Sequence, residues 1–400
     1  MSELDQASDP ASDPATPEPR FIPLAEPCLG GNERAYLDAC LESTFVSSIG
    51  PFVSRFEDEF ARYVGARFAV ACASGTAALH VAMRLLGVST GDEVLCSTMT
   101  FIASANPASY ERARLTLVDA EEATWNLSAA RIVDELARRE RVKATMPKAV
   151  EVVHILGHPV DLAPIQEACD RHGIPVIEDA AEALGARWTA GPYEGRHVGT
   201  VGKLGCYSFN GNKIITTGGG GMITTDDPAL AQRAKHLTTQ ARLPGAEYRH
   251  DEIGYNYRLT NLAAALGVAQ LEQLPGFLAR KRAIADRYDA ALGHLPGFGK
   301  PPRAPWASPS FWLYTCRLAP TFAGGKDRTA LMRYLDAEKI QARPIWTPLH
   351  AAPMYAGCDR LGGEVADTLF AECLSLPCSA NLSEQDQDRV IRAVIAFAEG

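Results

Sequence analysis

The chain has 400 residues, a formal net charge of −9 and 46% hydrophobic residues, a composition typical of a soluble globular protein with one large or two smaller domains. The acidic balance argues against nucleic-acid binding, and the apolar runs fall short of the roughly 20 residues of a membrane span. Ten cysteines without a CxxC pair suggest reduced thiols in the cytoplasm rather than disulfides or a zinc site.

The first 20 residues are acidic, rich in proline and poor in apolar side chains. They lack the basic start and the apolar segment of a signal peptide, so residues 1–20 are predicted to form a disordered tail.

Between residues 65 and 230, short apolar runs alternate with helical patterns. Strands are predicted at Phe68–Ala73, Glu93–Cys96, Leu115–Val118, Val150–Leu156, Ile174–Glu178, Gly205–Phe209 and Met222–Thr225. Helices are predicted at Thr76–Leu86, Ser128–Arg138, Leu162–Arg171 and Ala229–Leu237. This alternation predicts an α/β fold with a mostly parallel sheet that is covered on both faces.

A long helical pattern at Leu262–Leu292 follows, and a Pro/Gly-rich stretch separates it from a second alternating region. That region predicts strands near Trp312–Leu318 and Ile340–Pro344, a helix near Arg328–Glu338 and a terminal helix from Glu384. We therefore predict a large domain over residues 21–290 and a smaller C-terminal α/β domain over residues 291–400.

Three polar clusters each follow a predicted strand: the run from Ser74 to Thr76, the residue Asp179, and the run from Ser208 to Lys213. Ligands of open parallel sheets bind at the carboxyl ends of the strands, so these clusters are expected to converge in one crevice.

Lys213 stands between the end of an apolar strand and a run of glycines, a place that suits a lysine presented to a carbonyl group as a Schiff base. A phosphate-binding or loop-stabilising lysine is the alternative. The run from Ser74 to Thr76 opens a helix, where free N–H groups favour a phosphate that Gly75 lets approach. Asp179 can keep a pyridine nitrogen protonated. Both places also suit an ordinary helix cap. Together these groups predict pyridoxal 5′-phosphate (PLP).

Seven motifs in order then resemble the DegT/StrS-type nucleotide-sugar aminotransferases, PLP enzymes of fold type I (the aspartate aminotransferase fold). The resemblance covers about residue 21 to the C-terminus. The motifs are Gly31-Asn-Glu33, Ala73-Ser-Gly-Thr-Ala-Ala-Leu79, Gly91-Asp-Glu-Val94, Thr100-Phe-Ile-Ala-Ser-Ala-Asn106, Glu178-Asp-Ala-Ala-Glu-Ala-Leu-Gly185, Ser208-Phe-Asn-Gly-Asn-Lys213 and Gly254-Tyr-Asn-Tyr-Arg258.

The resemblance implies that Lys213 is the Schiff-base lysine and that Asp179 pairs with the pyridine nitrogen. It implies that Phe101 stacks on the cofactor ring. It places Glu182 near the cofactor hydroxyl and the reacting sugar carbon. The resemblance also assigns the phosphate contacts, which are Gly75, Thr76, Ser208 and, from the neighbouring subunit of a homodimer, Asn256.

The resemblance further implies that Arg258, His350 and Tyr355 are substrate contacts, although a structural histidine at 350 is an equal alternative. Trp312 and Tyr314 are expected in the core rather than at a nucleotide. No metal site is predicted, because His154 and His158 have no third ligand at a suitable spacing.

The implied reaction transfers an amino group from L-glutamate to C4 of a nucleotide-linked 4-keto-6-deoxy sugar. Two groups of the family are most similar, one making UDP-4-amino sugars for bacillosamine or legionaminic acid and the other making GDP-perosamine. The runs Gly157–Asp161 and Lys235–Thr239 favour a UDP-2-acetamido sugar. A related branch that removes a sugar hydroxyl has His in place of the lysine, so Lys213 favours transamination. A PLP-binding regulatory protein without catalysis is the alternative of another class.

Overall fold

A computed structural model describes residues 20–400, and the predicted tail over residues 1–20 lies outside this range except for Arg20. The helices of the described part are α1 Glu33–Ser43, α2 Pro51–Val64, α3 Gly75–Leu85, α4 Ile102–Tyr110, α5 Ala129–Val142, α6 Leu162–Arg171, α7 Pro228–Thr238, α8 Asn261–Leu292, α9 Arg328–Ala337, α10 Glu364–Glu372 and α11 Glu384–Glu399.

The strands include the seven predicted between residues 65 and 230, an additional two-residue strand, β6, and short strands near the C-terminus. They are β1 Phe68–Cys72, β2 Glu93–Ser97, β3 Arg114–Val118, β4 Ala149–Val153, β5 Val176–Asp179, β6 Arg187–Trp188, β7 Leu204–Ser208, β8 Gly221–Thr225, β9 Phe298–Gly299, β10 Ala307–Ser308, β11 Tyr314–Leu318, β12 Arg343–Pro344, β13 Asp359–Leu361 and β14 Cys373–Leu376.

An eight-stranded sheet with the order β1-β8-β7-β5-β4-β2-β3-β13 forms the centre of the molecule. Its strands pair in parallel from β7 to β13, whereas β8 runs antiparallel to both β7 and β1. The mostly parallel α/β architecture predicted from the sequence is therefore confirmed. Parallel strands need crossover connections, and these connections supply the helices that cover both faces.

Alternate side chains of β2 enter two separate hydrophobic clusters, as the period of two requires. Val94 and Cys96 of β2 pack with α3, α4 and α7, whereas Leu95 packs with α2, α5, α6 and α8 on the opposite face. Both faces of the sheet are consequently buried, which explains why the strands are apolar without alternation in hydrophobicity.

Helix α8 is the one helix among residues 20–400 that is long and apolar enough to cross a membrane by length and composition alone. Half of the most apolar 18-residue stretch of this helix is buried inside the protein. Val268 and Leu271 lie in the larger cluster, and Gly267 faces the Phe56 ring of α2 so closely that an added Cβ would lie 2.7 Å from it. The helix therefore packs as a core element.

A four-stranded sheet with the order β12-β14-β11-β9 lies in the C-terminal part and contacts α9 and α10, while α11 packs against α8 and α9. The predicted strand Ile340–Pro344 is shorter than expected, because only Arg343 and Pro344 pair with β14. Strand β13 is not in this sheet but extends the large one beside β3. A division into domains at residues 290 and 291 stays a prediction.

Candidate active site

One cavity of about 320 Å³ lies where β1, β5 and β7 end, and it contains all three polar clusters that the sequence places after those strands. Its walls come from these strand ends, from the starts of α3 and α4, from the glycine run before β8 and from two tryptophans. They are Ser74, Gly75, Thr76, Leu79, Phe101, Ala103, Ser104, Asp179, Ala181, Glu182, Ser208, Asn210, Asn212, Lys213, Gly219, Gly220, Trp312 and Trp346.

The start of α3 presents its backbone to this cavity. Ser74 caps the helix, and its Oγ accepts a hydrogen bond from the N–H of Ala77 at 3.0 Å. Gly75 lies against Ser208, so a Cβ at position 75 would come within 2.8 Å of the serine Cβ. A Cβ on Gly221 would likewise collide with the Ser74 carbonyl oxygen. The two glycines therefore allow α3, β7 and β8 to pack closely, and the first N–H groups of α3 and the Ser208 hydroxyl, which line the cavity, can bind an anion.

Asp179 ends β5 and is 4% exposed. Its Oδ2 accepts a hydrogen bond from Ser104 Oγ at 2.8 Å, and its Oδ1 accepts one from the N–H of Ala181 at 3.0 Å. Thr100 Oγ1 lies 2.8 Å from the same serine hydroxyl and orients it. Burial raises the pKa of Asp179 despite these hydrogen bonds. A cationic group facing this carboxylate would oppose that shift.

Lys213 follows β7 in a loop that turns back toward β8, and its side chain is largely buried. Burial lowers the pKa of Lys213, while the nearby carboxylates of Glu182 and Asp179 act in the opposite direction. Nζ lies 3.9 Å from Glu182 Oε1 and 3.8 Å from the centre of the Trp312 ring. The amine is therefore kept from bulk water and is pushed toward the neutral form that a nucleophile or a base requires.

Glu182 lies three residues beyond Asp179, in the turn that follows β5, and is 5% exposed. Its Oε2 accepts a hydrogen bond from the N–H of Leu156 at 2.9 Å. Burial raises the pKa of Glu182 to about 7, although Lys213 and the Leu156 amide oppose the shift. The side chain can accordingly change its protonation state near neutral pH beside the amine.

We expect the Glu182→Gln variant to flatten part of the pH dependence of stability. A carboxyl with a raised pKa in the folded state is favourable when protonated and loses that advantage as the pH rises. The wild type should therefore lose about 2 kcal/mol relative to the variant between pH 4.5 and pH 7. Urea unfolding at pH 4.5 and pH 7 measures this difference. A stability difference that does not change with pH would contradict the raised pKa.

Four predicted site residues lie outside the cavity. Asn256 is exposed, and Arg258 lies at a separate surface cavity lined by the 239–250 loop, with Nε buried and unpaired among residues 20–400. His350 is held between Thr98 Oγ1 at 2.7 Å and Asp367 Oδ1 at 3.1 Å. Tyr355 is buried and donates its hydroxyl to Asn106. The roles assigned to these four stay predictions.

Several cavity residues were not singled out from the sequence. Ser104 belongs to the motif Thr100–Asn106. It follows Phe101 by three residues, so both lie at the start of α4. Trp346 lies inside the segment Arg343–His350, and nothing local marks it as part of the cavity. Trp312 is buried, as expected, but it also lines the cavity, whereas Tyr314 bonds to Asp289 elsewhere.

No group of three or more His, Cys, Asp or Glu side chains in residues 20–400 could hold a metal ion. His154, considered for such a site, instead lies 2.9 Å from Glu178 Oε2 through Nε2, and its Nδ1 accepts the N–H of Val160. Burial alone would raise the pKa of Glu178, but the bonds from His154 and from backbone amides of the 199–202 loop keep it below its usual value. The pair fixes the loop that leads into β7.

The donor set fits PLP. The α3 start and Ser208 offer helix N–H groups and a hydroxyl to an anion, Asp179 offers a buried carboxylate, and Lys213 offers a shielded amine. Phe101, half exposed, lies at the cavity with its ring free to cover a flat ligand.

A profile of the DegT/DnrJ/EryC1/StrS aminotransferase family matches residues 27–395. The chain belongs to this family. EpsN from Bacillus subtilis strain 168, provisionally assigned as a PLP-dependent aminotransferase, is 41% identical over 94% of this chain and 95% of its own length. The GDP-perosamine synthase of Caulobacter vibrioides is also 41% identical, over 93% of this chain and 97% of that protein.

Among solved structures, the aminotransferase TlmJ from Streptoalloteichus hindustanus superposes with a TM-score of 0.84 and 32% identity, covering 94% of this chain and 99% of TlmJ. The predicted PLP fold type I architecture is thereby confirmed, and so is the resemblance drawn from the seven motifs. The protein is an aminotransferase, and PLP is its cofactor.

Proposed function

We propose that the protein transfers an amino group from L-glutamate to C4 of a nucleotide-linked 4-keto-6-deoxy sugar. Membership in the family and relatives named for sugar amination support the general class, a sugar aminotransferase. The observation that carries the proposal is the convergence of Lys213, Asp179 and Glu182 on one cavity at the start of α3. This arrangement supplies an amine, an acid for a ring nitrogen and a second carboxylate within reach of the amine.

When bound, PLP supplies an electron sink that stabilises negative charge at the carbon bearing the amino group. Gly75, Thr76 and Ser208 would hold its phosphate at the α3 start, and Phe101 would cover its ring. Asp179 would face its ring nitrogen, and the positive charge there would restore the ionised form that burial alone disfavours.

Lys213 would move the protons of the reaction. In the donor half, its Nζ would move the proton from the α-carbon of L-glutamate to the aldehyde carbon of the cofactor, and in the acceptor half it would move a proton from that carbon to C4 of the sugar. A lysine needs a lowered pKa for this work, and burial in the cavity lowers it. Glu182, 3.9 Å from Nζ, can balance the charge of the amine after each transfer and orient the sugar carbon.

The favoured acceptor is a UDP-linked 2-acetamido sugar, which gives a 4-amino-4,6-dideoxy sugar nucleotide for surface polysaccharide or glycan synthesis. The basis is the motif likeness in Gly157–Asp161 and Lys235–Thr239. A GDP-linked sugar is the second candidate, because a GDP-perosamine synthase is 41% identical to the chain over nearly its full length. Both candidates require the same chemistry at C4.

We also propose that the enzyme works as a homodimer in the cytoplasm. Asn256 is exposed and lies away from the cavity of its own chain, as a residue that serves a neighbouring site would. Exposed apolar side chains at Leu41, Phe45 and Ile49 offer surface for a second copy. All ten cysteines are free thiols, which suits a reducing compartment.

Turnover on a panel of UDP-, GDP- and dTDP-linked 4-keto-6-deoxy sugars with L-glutamate tests the substrate. We expect the UDP-2-acetamido sugar to give the highest kcat/KM, because specificity reflects differential binding of the transition state. A kcat/KM for the GDP sugar that is higher by about tenfold or more would show that the acceptor is GDP-linked, and the proposed reaction at C4 would stand. Activity on 3-keto sugars alone would overturn the position of amination.

A further inference from the structure

The indole ring of Trp312 lies over the amine of Lys213, with Nζ 3.8 Å from the ring centre. The other charged side chains that line the cavity are Asp179 and Glu182, both from the end of β5 and the turn after it. Glu182 Oε1 is 3.9 Å from Nζ, which is too far for a hydrogen bond. The ring face therefore joins the Glu182 carboxylate as a group close enough to favour a positive charge on this amine.

The indole is fixed by contacts on several sides. Its Nε1 donates a hydrogen bond at 2.7 Å to the carbonyl of Asn212, the residue that precedes Lys213. Its ring stacks on Trp346 with a centroid distance of 5.9 Å and an interplanar angle of 8°. The side chain is buried, at 3% exposure. The position of the ring relative to the lysine is thus set by the fold, and the same indole holds the loop that carries the lysine.

A buried lysine in α8 holds the backbone of this tryptophan. Lys281 Nζ donates hydrogen bonds to the carbonyl of Trp312 at 3.1 Å and to the carbonyl of Cys378 at 2.9 Å. Burying an amine with two main-chain carbonyls as partners is costly, and burial lowers the pKa of Lys281. We infer that the buried Lys281 amine fixes the main chain at Trp312, and with it the position of the indole ring.

We propose that Trp312 is a further catalytic residue, whose ring face stabilises the protonated amine of Lys213, and that Lys281 is the positioning residue that holds Trp312. The proposal rests on the function proposed above, in which Nζ carries a proton between two carbons. An ammonium in a buried cavity is penalised by the loss of water, and a ring face offsets that penalty. A ring also accepts no proton and leaves the N–H bonds free to point at the reacting carbon.

The protonation midpoint of Lys213 tests this proposal in enzyme loaded with pyridoxamine phosphate, in which the lysine amine is free. Trace acetylation by acetic anhydride at several pH values, read on the Lys213 peptide by mass spectrometry, gives the midpoint, with the exposed Lys203 as internal standard. Removing a group that favours the charged form lowers the pKa. We expect Trp312→Leu to lower the midpoint by about 0.5 to 1 unit.

The turnover rate should fall in the variants that lower the protonation midpoint of Lys213. In Trp312→Leu we expect kcat to fall about tenfold with KM for the sugar within about threefold, because the effect lies on proton transfer and not on binding. Trp312→Phe should give about half the pKa shift, since a phenyl ring attracts a cation less than an indole. Lys281→Met should give a shift in the same direction through misplacement of the ring. Trp306→Leu is the matched control and should leave both quantities unchanged, because Trp306 does not line this cavity.

An unshifted midpoint in folded, cofactor-loaded Trp312→Leu would overturn the proposal. If that variant does not fold, Trp312→Phe decides the question in the same way. If the midpoint shifts in Trp312→Leu but the wild-type enzyme transfers no amino group to any keto sugar, the proposed function is overturned and, with it, the catalytic role of Trp312.

Discussion

Lys213→Ala is expected to reduce turnover by about 10⁴-fold or more, since it removes both the covalent attachment of the cofactor and the group that moves protons. The structure leaves no substitute: Lys213 is the cationic side chain among the residues that line the cavity. Steady-state assays with L-glutamate and the preferred keto sugar measure the loss.

Borohydride treatment gives a second readout of the same assignment. In the wild type it should link the cofactor covalently to the peptide that contains Lys213, and in Lys213→Ala no peptide should carry it. Lys203→Ala is the control, because Lys203 is exposed and pairs with Asp227 away from the cavity. Label on a different lysine of the wild type would show that Lys213 has been misassigned.

Asp179→Asn is expected to slow the half-reaction with L-glutamate by about two orders of magnitude or more, on the order of 3 kcal/mol of barrier. The amide keeps the size of the side chain and its bond from Ser104, but it loses the charge that keeps the ring nitrogen protonated. Single-turnover absorbance of the bound cofactor after mixing with L-glutamate measures the rate.

Asp170→Asn is a suitable control for this prediction, because Asp170 is exposed at the end of α6 and bonds to Gln166. The Asp179 variant should still bind PLP, since the phosphate cradle at the start of α3 is untouched. Near wild-type rates in Asp179→Asn would remove this residue from the role.

The strands and the helix that form the site are predicted accurately from the sequence, because they are regular secondary-structure elements. β1, β5 and β7 end within one residue of the predicted positions, and these ends are where a parallel sheet gathers its ligands. Ser74 marks the start of α3 by a local rule, since its hydroxyl caps the helix. The cavity therefore follows from the pattern of apolar runs and the polar residues that end them.

The end of β4 illustrates where local reading fails. The apolar run Val150–Leu156 predicts one long strand, but the strand stops at Val153 and a 3₁₀ turn follows. Leu156 adopts a positive φ of 55°, and its N–H donates to Glu182. The acceptor of this hydrogen bond lies 26 positions along the chain, so the hydrophobicity of the run alone cannot predict the turn.

The remaining walls of the cavity depend on tertiary contacts. Trp312 and Trp346, which line the cavity, belong to the C-terminal third of the chain. Ser104 donates a hydrogen bond to Asp179, which lies 75 residues further along the chain. β13 pairs with β3 over more than 200 residues as a three-residue strand, which is too short to carry a pattern of its own. Such contacts are set by packing among distant elements rather than by local propensity.

Transfer of ¹⁵N from labelled L-glutamate tests the central claim most directly. The enzyme is incubated with ¹⁵N-L-glutamate and the keto sugar nucleotide that the panel ranks first, and the product is examined by NMR. The account predicts ¹⁵N bonded to C4 of the sugar, together with one equivalent of 2-oxoglutarate. Label at another sugar carbon, or 2-oxoglutarate formed without any labelled sugar nucleotide across the panel, would contradict it.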